Sequence, residues 1–150
     1  AIGPAAPRSG GPQLLIGGYV AAIAARIGKW ADGYMAPGGG EPQAMQKMWR
    51  DILKAWKQNN RPGQPRWVGA SYFALGPKAV EQATSYINAN YGYNPDLAAR
   101  RLSSLPTSSA ALEESIKRQA DMGVDEFILR PCAEEIDQME RLAEVAARVS

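Results

Sequence analysis

Two glycine-rich stretches are the part of this sequence best suited to chemistry. "PQLLIGGYVAAI", residues 12 to 23, is an apolar run that stops on Gly17 and Gly18 and continues into helical patterning, and "APGGG", residues 36 to 40, ends a second short apolar run. Without a Cβ, glycine lets the main chain approach a ligand closely and turn its N–H groups inward. Each stretch also precedes a predicted helix, whose free N–H groups and positive dipole end favour an anion. On adjacent strands, Gly17-Gly18 and Gly38-Gly39-Gly40 would make a phosphate cradle. The same glycines also suit strand-to-helix turns that hold nothing, and "IGG" matches neither the dinucleotide fingerprint nor the Walker pattern, so the residues alone leave both readings open.

Other reactive groups are few. The chain has no histidine, which excludes a Ser-His-Asp triad, a histidine metal site and an imidazole base built from these residues. Its one cysteine, Cys132, forms no internal disulfide and carries no metal-site spacing, and it reads as a small buried residue. No metal site is expected. Arg130, just past the last predicted strand, could meet an anionic group of a substrate, or form an ordinary surface ion pair. Ser71 and Tyr72, near the end of the third predicted strand, could offer hydroxyls to a ligand, subject to strand register. No catalytic residue is identified.

These groups must be held by elements that the hydrophobic pattern defines. Leu14 to Ile16 reads as a short strand, followed by a helix striped with Val20, Ile23, Ala24, Ile27 and Trp30. Tyr34 to Ala36 repeats the strand, and Pro42 opens a helix carrying Met45, Met48, Trp49, Ile52, Leu53 and Trp56 as a core stripe until "NNRPG" breaks it. Trp67 to Phe73 is a third strand. Residues 78 to 102 form two helices separated at "NYGYNP", where Gly92 and Pro95 demand a turn. Thr107 or Ser108 caps a further helix bearing Leu112, Ile116 and Ala120, which Gly123 ends. Phe127 to Leu129 is the fourth strand, and Ile136, Met139, Leu142, Ala143, Ala146 and Val149 stripe the closing helix. Four strand-then-helix units with wholly apolar strands predict a parallel sheet covered by helices. That is either an open doubly wound sheet, which would bind phosphate at its strand-order switch, or part of a closed eight-stranded barrel.

Seventeen basic residues against fifteen acidic ones, spread along the helices, argue against a nucleic-acid partner, and the apolar runs are too short to cross a membrane. A single thiol fits the reducing cytoplasm. The opening "AIGPAAPRSGGP", residues 1 to 12, lacks an initiating Met and a signal pattern and reads as a connecting segment of a longer gene product, with the folded domain at 13 to 150.

From Gly11 onward, "LLIGGYVAAIAARIGKWADGYMAPGGG" and, after a gap, "MGVDEFILRPC" resemble the C-terminal half of the bacterial luciferase-like monooxygenase family, barrel enzymes that use a flavin or the deazaflavin coenzyme F420. The resemblance implies the C-terminal half, about four strands, of a TIM-type (β/α)8 barrel. It implies that Gly17, Gly18, Ala36, Pro37, Gly38 and Gly39 hold the coenzyme phosphate and side chain, with F420 or FMN as cofactor and the "ADG-aromatic" and "APGGG" wording closer to the F420 branch. It further implies a small-molecule substrate and a partner, either the N-terminal half of the barrel or a second copy in a homo-oligomer. Because the ring pocket of the family lies largely in the other half, the chain is expected to be inactive alone. A non-catalytic half-barrel that self-associates, or that binds a phosphate-bearing ligand without turnover, is the alternative.

Overall fold

The computed structural model describes residues 11–38 and 40–149; the predicted connecting segment lies almost entirely outside them, as does Gly39. The elements alternate: β1 (Leu15–Gly17), α1 (Ala22–Trp30), β2 (Gly33–Met35), α2 (Pro42–Gln58), β3 (Arg66–Phe73), α3 (Ala79–Tyr91), α4 (Pro95–Ser104), α5 (Ser109–Asp121), β4 (Glu126–Pro131) and α6 (Asp137–Val149). The four strands form one parallel sheet in the order β1-β2-β3-β4, each paired with its predecessor in the chain. Sequential order with no reversal is the arrangement of half a (β/α)8 barrel and excludes the doubly wound alternative, whose strand order switches direction.

Local signals account for the boundaries. Pro95 stands in the first turn of α4 behind Asn94, whose side chain accepts a hydrogen bond from the Leu97 N–H at 3.1 Å. Ser108 caps α5 in the same way through the Ala111 N–H, and Gly123, at φ +83°, follows its C-terminus in the left-handed region. The strands are displaced slightly from the pattern-based limits: β1 and β2 lie one residue off, β3 begins one residue earlier, and β4 extends to Glu126 and Pro131.

Register sorts the sheet into two faces. Tyr34 pairs with Trp67 and faces the helices, where Ile23, Ile27, Met45, Ile52 and Trp56 make the main core and Trp49 stacks on Trp67 with ring centroids 4.7 Å apart. The methionine and tryptophan stripe of α2 is core, as expected. Phe73, on the same face of β3, packs with Leu112 and Val145 under α5 and α6. The opposite face carries Gly17, Met35, Val68, Ala70, Tyr72, Ile128 and Arg130, the set that lines the interior of a barrel. Across the carboxyl end of β3, α3 and α4 cover Tyr72 with Ala79, Ala83, Ile87 and Ala98.

Two expectations about helix faces are corrected. Val20 precedes α1 and is exposed, and Trp30 at its end is 62% exposed with the Lys29 ammonium over its ring, so the α1 stripe narrows to Ile23, Ala24 and Ile27. On α6 the buried residues are Gln138 and Val145, while Ile136 (75% exposed) and Met139 (48%) face outward. Gln138 sets that rotation: its side-chain amide both accepts from the Leu75 N–H (2.9 Å) and donates to the Leu75 carbonyl (2.8 Å), two buried bonds that a hydrophobic pattern does not anticipate. Leu14 at the β1 edge is also exposed. Exposed apolar side chains therefore flank both open edges of the sheet, where a complete barrel would continue.

Candidate functional site

The two glycine corners are neighbours at the carboxyl end of the sheet, since β1 and β2 pair from Leu15↔Gly33 to Gly17↔Met35. Gly18 sits at φ +140°, a conformation that a residue with a side chain rarely takes, and its carbonyl accepts a hydrogen bond from the Tyr34 hydroxyl at 3.0 Å. At the second corner, Gly38 lies so close to β3 that a Cβ there would stand 2.6 Å from the Ala70 carbonyl oxygen. The Gly38 carbonyl accepts from the Tyr19 hydroxyl at 2.9 Å and from Arg101 Nη1, so side chains from the first corner and from α4 lock the second. Both corners thus have packing reasons for glycine that are independent of any ligand.

They also leave donors free. Among the described residues, the main-chain N–H groups of Gly18, Tyr19, Val20 and Ala21, and of Gly38 and Gly40, have no acceptor. Those of the first corner lead directly into α1, where the helix dipole adds positive potential. Arg100 and Arg101 add more: both favour ionisation of the Tyr19 hydroxyl electrostatically, although burial outweighs them and its pKa is raised. No partner carboxylate offsets either arginine among the described residues. Such a corner suits an anion. Ala36 is buried, Pro37 partly so, and both belong to the second corner as expected.

The substrate-side candidates occur together. Tyr72 and Arg130 are register partners on the interior face, with the guanidinium 4.7 Å from the ring centroid. Arg130 makes this cation–π contact and, among the described residues, no ion pair. The Tyr72 hydroxyl is already engaged with that of Tyr91 at 2.8 Å. Ser71 lies on the other face, its hydroxyl donating to the Tyr72 carbonyl at 2.9 Å, and so parts company with Tyr72. Cys132 is buried, and desolvation pushes its thiol up to about 11, which makes it inert at neutral pH.

Tyr19, Tyr34 and Arg101 are the residues that sequence reasoning passed over. The aromatic residue directly after Gly17-Gly18 and the "RR" pair on α4 were the available signals, but nothing local tells that α4 returns to the β2 corner.

Burial pushes Tyr34 up to about 12, and burial followed by the Tyr91 hydrogen bond does the same to Tyr72. Both folded-state values lie above the ordinary value of 10, so the stability these phenols contribute is intact below pH 10 and is lost as pH rises towards 12. In an alkaline titration followed by phenolate absorbance and circular dichroism, two of the six tyrosines should resist ionisation until the fold opens. Uniform titration near pH 10 with the fold intact would contradict this.

Solved structures share this architecture. The chain is similar to an F420-dependent secondary alcohol dehydrogenase in complex with an F420-acetone adduct, with TM-score 0.69 and 15% identity, covering 92% of this chain and 49% of that one. It is also similar to an EDTA monooxygenase from Chelativorans sp. BNC1 (TM-score 0.64, 12% identity, 95% and 46% covered). A coenzyme F420 dependent tetrahydromethanopterin reductase from Methanopyrus kandleri gives 0.59 at 12% identity, covering 91% and 49%. The chain spans about half the length of each. No family model and no curated protein matches it. The fold is therefore the half (β/α)8 barrel that these structures share with this chain.

Proposed function

We propose that this chain supplies the coenzyme-holding half of an oxidoreductase that uses coenzyme F420 or FMN, completed by the other half of the barrel. The observation that carries the reading is the pair of adjacent strand ends whose N–H groups lack acceptors, set in the field of Arg100 and Arg101. The likeness in fold to F420-dependent enzymes supports it.

Each part of the corner has a task. The amides of Gly18 to Ala21 bind the coenzyme phosphate, with the α1 dipole behind them. Gly38 and Gly40 shape the adjoining wall, and the Tyr19–Gly38 and Tyr34–Gly18 hydrogen bonds fix the two corners relative to each other, so that the donors are aimed before the ligand arrives. When bound, the coenzyme supplies hydride transfer or, as reduced flavin, oxygen activation. Arg130, exposed on the interior face at the carboxyl end of β4, meets an anionic group of a small-molecule substrate, while the Tyr72 ring holds its guanidinium in place.

Titrating the complete polypeptide with F420 and with FMN, followed by coenzyme absorbance and fluorescence, should give saturable binding of one of them. Indifference to both overturns the reading. The edges of β1 and β4, which have no further strand among the described residues, favour a second one, in which copies associate and hold a phosphate-bearing ligand without turnover. AMP binding as tightly as either coenzyme would favour that alternative.

A further inference from the structure

A cavity of about 680 Å³ extends from the coenzyme corner between α2, α4 and α5. Its apolar lining comes from Met45 and Met48 of α2, Met122 after α5, and Phe127 of β4. Three thioethers around an aromatic floor suit a flat ring, because sulfur packs favourably against aromatic edges. Its rim is cationic: Arg100, Arg101 and Arg118 face a single carboxylate, Glu41, among the described lining residues. Arg118 is already paired with Glu114 at 3.4 Å, whereas Arg100 has no ion pair among the described residues.

Two buried polar atoms here lack a protein partner. Arg101 Nε is a donor without an acceptor, and Gln119 Oε1 is an acceptor without a donor. Buried polar atoms are nearly always answered, so an orphan of each kind in one cavity describes the ligand that would complete it. A carboxylate answers the arginines and a hydroxyl answers Gln119.

We infer that the inner end of this cavity, between α4 and α5 and adjoining the coenzyme corner, is a second binding site, for a hydroxylated aromatic carboxylate. The cavity runs from the corner past Ala70 and Ser71 to Ser115, Gln119 and Phe127, and neither Tyr72 nor Arg130 lines it. Tyr19, Tyr34, Pro37, Gly38 and Gly40 form the wall common to the two.

The test is a titration of the complete polypeptide with 6-hydroxy-2-naphthoate, read by its own fluorescence, beside 2-naphthol, which lacks the carboxylate. The acid should bind saturably, at one per chain, and at least about tenfold more tightly than the naphthol. Gln119→Leu, which removes the acceptor for the hydroxyl, and Ser115→Phe, which fills the cavity, should each weaken the acid by about tenfold or more while leaving F420 or FMN binding unchanged. Equal affinity for naphthol, unchanged affinity in both variants, or displacement of the acid by the coenzyme overturns the inference. Coenzyme affinity is read in a separate titration, so failure of this site and failure of the proposed function are distinguishable.

Discussion

Gly18→Ala is expected to weaken F420 or FMN binding by about 10- to 100-fold while leaving the far-ultraviolet circular dichroism nearly unchanged, because the backbone strain involved, about 1–3 kcal/mol, is of the same size as that loss. A side chain at φ +140° is strained, and its Cβ would stand 3.1 Å from Ile23 Cδ1. The corner relieves that strain by rotating the peptide that carries the Tyr19 N–H, so the donors no longer converge. The flexible end of Ile23 absorbs the contact, which is why α1 itself survives. Val20→Ala, at an exposed neighbouring position, is the control and should bind normally. Wild-type coenzyme affinity in Gly18→Ala would remove the main-chain cradle from the proposal.

Gly28→Val is expected to damage stability severely. Gly28 lies inside α1, where glycine ordinarily costs about 1 kcal/mol relative to alanine. Here it is required: a Cβ would come within 2.7 Å of both the carbonyl carbon and the Cβ of Ala55 on α2. Backbone cannot yield as a flexible side chain can. Valine would push α1 and α2 apart and loosen the core of Ile23, Ile27, Ile52 and Trp56 between them, at a cost of about 3 kcal/mol. For a chain of this length, that corresponds to a fall in melting temperature of roughly 6–12 °C. Thermal unfolding followed by circular dichroism checks it, and an unchanged midpoint would show that the two helices are free to separate.

The contrast between these glycines shows how much was legible in the sequence. Alternation of short apolar runs with helical stripes is local information, and it located all four strands and six helices to within a residue or two. The glycine corners were visible for the same reason. What the sequence could not convey is which distant atom each glycine accommodates. Gly38 is demanded by the Ala70 carbonyl and Gly28 by Ala55, and neither neighbour is near in the chain. Arg101 illustrates the same gap, since its bond to the Gly38 carbonyl depends on α4 crossing back over the strand ends. The α6 face was misread because Gln138, polar by type, is buried through its paired bonds to Leu75. Ile136 and Met139 therefore face away from the core that their spacing suggested.

The connections within the sheet are unequal. β1 joins β2, and β2 joins β3, through one helix each, whereas β3 reaches β4 only through α3, α4 and α5. Closing a segment of roughly fifty residues costs more chain entropy than closing the shorter crossovers, and the contacts that repay it form late. The first three strands and their two helices are therefore expected to form first, with β4 and α6 docking onto them afterwards.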